Sequence, residues 1–183
     1  MPGQNGIATF DVDWNRAPLR DLVPHIVAEH HGRFKVELPS LQGLLREVYA
    51  SHRHRDSARL APLPNLLFLL EDELDQHMRR EELTIFPAID ARENSYKGRR
   101  RPALADRNIS SLISAVLSEH DDILDRLAEC RQMTDNYAVP SYADQGYRLL
   151  FQRLEALDHD LKFHIGVEND SVFSRALSLA QIP

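Results

Sequence analysis

The chain has 183 residues, 43% of them hydrophobic, with 28 acidic against 22 basic side chains and a net charge of -6. That length suits one domain with a full-sized core, and the acidic balance disfavours nucleic acid as a main partner. A single cysteine, Cys130, rules out an intrachain disulfide and a cysteine-based zinc site. The opening MPGQNGIATF lacks a basic stretch followed by an apolar one, and no run approaches the roughly 18 apolar residues of a membrane span. A protein without membrane segments, at home in a reducing cytoplasm, is the expectation.

Residues 1–17 read as an N-terminal extension and residues 18–183 as one domain. The first amphipathic stretch runs from Pro18 to Tyr49, with Val27, Phe34, Leu38, Leu41, Leu45 and Val48 spaced by threes and fours apart from one gap of seven. His31 fills that gap. His30 adjoins it, and the choice of His31 depends on the helix staying regular past Pro24, which is tolerated if Asp21 caps the helix and Pro24 lies in its first turn. Residues 51–64 (SHRHRDSARLAPLP) read as a connector. A second stretch starts at Asn65 and carries Leu67, Leu70, Leu74, His77, Glu81 and Ala88 in the same rhythm, with Pro87 bending or ending it. Residues 92–105 read as a loop broken by Gly98 and Pro102, and the run Arg99 to Arg101 inside it as solvated surface.

The third stretch places Ile109, Ile113, Val116, His120, Ile123 and Leu127 on one stripe. After TDNYAVPSY, whose Pro140 suits a helix start, the fourth has Tyr147, Leu150, Leu154, Leu157, Leu161, His164 and Glu168, and closes near Leu179. No segment alternates with the period of a strand. The fold class expected is all-α: an up-down-up-down, left-handed four-helix bundle.

Two copies of His-x-x-x-Glu stand out, His77 to Glu81 (HMRRE) and His164 to Glu168 (HIGVE). One helical turn separates the members, so each pair projects from one face, and that face is the apolar stripe. His31 and His120 occupy the corresponding seams of the other two helices. Four imidazoles and two carboxylates in a core without a cation would cost several kcal/mol per unpaired charge, so a metal is the expected compensation. His25, His30 and His159 fall off the seams, while His52 and His54 lie in the connector among arginines. Imidazole and carboxylate together suit iron, manganese or zinc, and six ligands are too many for one tetrahedral zinc. Two ions fit, each with two histidines, if Glu81 and Glu168 both bridge; an oxo or hydroxo bridge and an open position complete the arrangement. Ferritin-type bundles use Glu-x-x-His, the reverse order at a shorter step.

These words resemble a hemerythrin-like domain. The stretches DWNRAPL, HIVAEHHGRFKVELPSL, EDELDQHMRREELTIFPAI, SEHDDILDRL and DLKFHIGVENDSVFSRAL resemble, more specifically, the repair of iron centres family, di-iron proteins linked to nitrosative and oxidative stress in bacteria. The resemblance implies two iron ions held by His31, His77, His120 and His164, with Glu81 and Glu168 bridging. It implies repair of damaged iron–sulfur centres or supply of iron to them, or redox handling of nitric oxide or peroxide at the di-iron site. An acidic pair considered functional in that family matches Glu73 and Glu119; spacing alone leaves contact with the ligands and a plain surface role equally open. Members of the family commonly begin with a small domain carrying a cysteine pair, whereas about a dozen residues without cysteine precede Asp13 here. Thiol chemistry housed in that domain is not expected of these residues alone. The alternative reading is a hemerythrin-like carrier or sensor of oxygen or nitric oxide without turnover, although oxygen-carrying hemerythrins usually have five histidine ligands, one more than the seams supply. A bundle with a vestigial site is the third.

Overall fold

The computed structural model describes residues 17–98 and 109–180. The expected extension, apart from Ala17, and the run Arg99 to Arg101 lie outside the described residues. Those described form four helical rods and no strand. The first rod is α1 (Leu19–His25), a π-helical segment π1 (Ile26–His31) and α2 (Gly32–Leu60). The second is α3 (Leu63–Arg80), π2 (Glu81–Ile85) and α4 (Phe86–Gly98); the third is α5 (Ile109–Met133). The fourth is α6 (Gln145–Val167), π3 (Glu168–Phe173) and α7 (Ser174–Ala180). None of the described helices is long and apolar enough to cross a membrane.

Two apolar clusters fill the bundle. One gathers Leu41, Leu45, Leu70, Leu74, Ile123, Phe151 and Leu161 from α2, α3, α5 and α6; the other gathers Leu22, Ile26, Ile89, Ile113, Val116 and Phe173 from the opposite end. The first and third rods pass from the second cluster to the first, and the second and fourth pass back, so the rods alternate up and down. Between the clusters, every rod crosses a layer of buried His and Glu.

Local chemistry explains the boundaries. Pro18 starts α1, its carbonyl accepting from Asp21 N at 2.9 Å and Leu22 N at 3.0 Å. Asp21 therefore does not cap, and Pro24 sits inside α1 rather than in its first turn. The residues expected to form a connector are mostly helix: α2 continues to Leu60, broken only at Asp56 (φ -141°, ψ 42°). The break is anchored because the Asp56 carboxylate accepts from Arg59 Nε at 3.0 Å and from the Tyr147 hydroxyl. His52, expected in the connector, is buried and meets Asp144 Oδ2 at 2.9 Å. Asp144 also accepts from Tyr147 N at 2.9 Å, so it caps α6 and Pro140 lies in the turn before. Residues 92–98, expected in a loop, belong to α4. Cys130 is buried, which pushes its thiol up to about 11 and keeps it protonated near neutrality.

The three π segments were not foreseen. In each, an amide reaches back five residues: Gly32 to the Val27 carbonyl, Phe86 to Glu81 and Ser174 to Asn169. The additional residue in the turn rotates what precedes or follows. Ile26 is buried instead of Val27, and Ile85 and Ile89 instead of Ala88. Pro87 follows π2 and α4 continues beyond it.

Candidate metal centre

His31 is the last residue of π1, Glu81 the first of π2 and Glu168 the first of π3, while His77, His120 and His164 come from α3, α5 and α6. All six expected residues converge in the layer between the clusters, and none is more than 2% exposed. His31 and not His30 faces inward; His30 is half-buried and His159 exposed. The six form two groups of four, His31, Glu81, His164, Glu168 and His77, Glu81, His120, Glu168, each with donor atoms within 4.8 Å of one another. Both carboxylates are common to the two groups. Glu81 Oε2 lies 3.4 Å from His31 Nε2 and 3.4 Å from His77 Nε2. Glu168 Oε2 lies 3.2 Å from His120 Nε2 and 3.3 Å from His164 Nε2, and its Oε1 lies 3.8 Å from His31 Nε2.

The electrostatics are those of a site wanting a cation. Burial, reinforced by the Glu168 charge, pushes the Glu81 carboxyl up to about 8. Burial acts on Glu168 in the same sense, but His164, His120 and His31 outweigh it and hold that carboxyl below the usual range. Burial takes His77 down to about 3 and His164 down to about 4. His31 resists its burial and rises to about 10 because Glu168 and Glu81 face it. Protons and charges compete for one buried layer, and four carboxylate oxygens, His31 Nε2 and His164 Nε2 have no hydrogen-bond partner among the described residues. Buried polar atoms left this way cost about 1–3 kcal/mol each. A mixed nitrogen and oxygen donor set suits divalent iron, manganese or zinc, so the residues fit a pair of such ions.

Three of the four histidines are fixed from behind by a neighbouring helix. His31 Nδ1 donates to Glu82 Oε1 at 2.9 Å, and Lys35 Nζ donates to the same oxygen at 2.8 Å. His77 Nδ1 donates to Glu119 Oε2 at 3.1 Å, and Glu119 also pairs with Arg80. His120 Nδ1 donates to Asn169 Oδ1 at 2.8 Å. Such contacts fix the ring tautomer and direction and strengthen Nε2 as a donor. Of the two acidic residues considered from sequence, Glu119 touches a histidine of the centre, though His77 rather than its neighbour His120. Glu73 instead accepts from Arg126 Nη2 at 3.2 Å, and it shares with His77 the wall of a polar cleft of about 150 Å3. Sequence reasoning missed Glu82 and Asn169. Their only signal was adjacency: each directly follows a glutamate of the layer and reaches across to another rod.

The profile of the hemerythrin HHE cation binding domain matches residues 22–176, a span that contains the whole His and Glu layer. Curated relatives called iron-sulfur cluster repair protein YtfE align over most of the chain. That of Musicola paradisiaca is 35% identical, covering 90% of this chain and 68% of its own length. Those of Cronobacter sakazakii and Escherichia coli O1:K1 are 31% and 30% identical, each covering 92% of this chain and 71% of its own. The chain belongs to the hemerythrin family of cation-binding helical bundles and, within it, to the group of the iron–sulfur cluster repair proteins.

Proposed function

We propose that this chain is a non-haem di-iron protein of the response to nitrosative and oxidative stress, and that it repairs damaged iron–sulfur centres or supplies iron to them. The observation that carries the proposal is the sharing of Glu81 and Glu168 by the two four-residue groups. In this reading one iron would be held by His31 and His164 and the other by His77 and His120, with Glu81 and Glu168 available to both. The iron pair supplies a change of valence and an open position for a small diatomic molecule or peroxide. The protein supplies the rest. Glu82, Glu119 and Asn169 aim three of the rings, while Phe34, Phe86 and Phe173 pack against His164, His31 and His120 and keep the layer dry. Each iron has only two histidines beyond the shared carboxylates, a set lean enough to let iron leave. Similarity to proteins named for iron–sulfur cluster repair supports the same role. Residues 18–183 are the unit proposed to carry it, acting in a reducing cytoplasm.

The test starts with anaerobic loading of the chain with ferrous iron, where two irons per chain are expected. The reduced, loaded protein should then restore an iron–sulfur enzyme inactivated by nitric oxide. Fewer than two irons sinks the di-iron assignment. Two irons with reversible gas binding and no restoration replaces repair by the carrier or sensor.

A further inference from the structure

The two halves of the layer differ behind the rings. His77 and His120 each donate Nδ1 to an acceptor, Glu119 and Asn169. On the other half His31 has Glu82, but His164 Nδ1 meets no hydrogen-bonding group among the described residues, although the side chain is fully buried. Its surroundings explain why. The His164 ring is surrounded by Phe34 at 5.5 Å, by His31 at 5.2 Å and by His30 at 5.3 Å, ring centre to ring centre. His30 holds the place, beside a residue of the layer on a neighbouring rod, from which Glu82, Glu119 and Asn169 make their hydrogen bonds, and it makes none to His164 Nδ1.

We propose that the two metal positions are inequivalent, and that the ion held by His31 and His164 is the one that exchanges with solution and is given up first. The inference rests on the di-iron reading above and says which iron is cargo. An imidazole whose Nδ1–H has an acceptor is a stronger and better-aimed donor at Nε2, and removing such an acceptor costs metal proteins roughly 10–100-fold in affinity. One position has two histidines of that kind, the other one. Glu82, the partner of His31, also forms part of the wall of an apolar groove of about 580 Å3 beside Val23, Leu83 and Phe86, whereas His77 lines the polar cleft of about 150 Å3.

The experiment is release of iron from the anaerobically loaded full chain to a ferrous chelator, followed by absorbance, with total iron counted first. Two phases of one iron each are expected, differing in rate by about tenfold or more. Glu82→Gln should hasten the fast phase alone. Glu119→Gln and Asn169→Ala should each hasten the slow phase alone and draw it toward the fast one; either variant suffices if the other folds poorly, as judged by its helical circular dichroism. A single phase releasing both irons overturns the inference, as does hastening of the fast phase by Glu119→Gln or Asn169→Ala. A chain that binds fewer than two irons overturns the di-iron reading instead, so the two failures are distinct.

Discussion

On one side of the His and Glu layer, Leu41, Leu45, Leu70, Leu74, Leu154 and Leu161 pack in unbroken α-register; on the other, Ile26, Ile85, Val172 and Phe173 lie within the π segments of their rods. The difference shows what the layer demands of the backbone. Continuing α-register from Glu168 would bring Arg175 onto the core face, and continuing it from Glu81 would bring Ala88. The amide that skips one carbonyl turns Phe173 and Ala176 inward instead, leaving Arg175 at the edge, where its guanidinium donates to the Ala17 carbonyl at 2.7 Å. Three rods can therefore offer charged groups to the centre and apolar groups beyond it from the same helix. π turns at functional positions are a recurrent device for such a change of register.

The sharpest way to break the comparison is at the layer itself. Glu168→Ala should empty both metal positions and remove about 4 kcal/mol of apparent stability, the linkage value for a ligand at a thousand times its dissociation constant. Iron counting and thermal melting with and without iron would check it; a variant that keeps two irons denies Glu168 the bridging role proposed for it. Truncating an aromatic on either side comes next. Phe151→Ala and Phe173→Ala should each cost about 3 kcal/mol or more through the cavity left behind. Their metal content should differ: Phe173 packs 5.9 Å from the His120 ring, whereas Phe151 packs against Tyr147 at the far end. Iron should fall in Phe173→Ala and stay full in Phe151→Ala. Equal iron in both would show that the π-shifted end does not support the centre.

Smaller effects sharpen each end separately. Burial works against ionisation of Asp56, but Arg59 and the Tyr147 hydroxyl outweigh it and hold the carboxyl below its ordinary value of 3.8. Because the folded state binds that proton more weakly than the unfolded one, the stabilisation is complete above this ordinary value and disappears as pH falls through the folded one. Asp56→Asn should cost about 1–3 kcal/mol at neutral pH, with a gap to the parent that narrows on acidification in urea melts. A gap independent of pH would show that the charge contributes nothing. At the other end, the Asp170 carbonyl bypassed by the Ser174 amide accepts from the Ser174 hydroxyl. Ser174→Ala should cost about 0.5–1.5 kcal/mol and leave iron release unchanged; a larger loss would mean that the hydroxyl holds π3 in register.

Legibility followed the same division. The stripe through Leu67, Leu70, Leu74 and His77, and the one through Tyr147, Leu150, Leu154, Leu157 and Leu161, were readable because a constant period of three and four residues survives in the structure. The six His and Glu residues could be gathered from sequence because each interrupts an apolar seam at a point where burial of a polar group needs a reason. Val27 and Ala88 were misplaced because a register change leaves no mark in composition. The stretch from Ser51 to Arg59 looked like a connector because its polarity hides a helix whose buried polar residues, His52 and Asp56, find partners on the rod bearing Tyr147.

By itself the sequence determined the helical class, the number of rods, the side of each that faces inward over its α-regular length, and the six residues of the layer. Those follow from local spacing, which is set by the pitch of the helix and the cost of burying polar groups. Only the tertiary structure decided which residues stand behind the histidines. Glu82, Glu119 and Asn169 act across rods from 42 to 51 residues apart in the chain, and the lack of an acceptor for His164 Nδ1 among the described residues is visible only once those rods are packed. Adjacency in sequence carries no information about which neighbouring helix a side chain will reach, because that depends on rotations introduced by three π turns that no single stripe records.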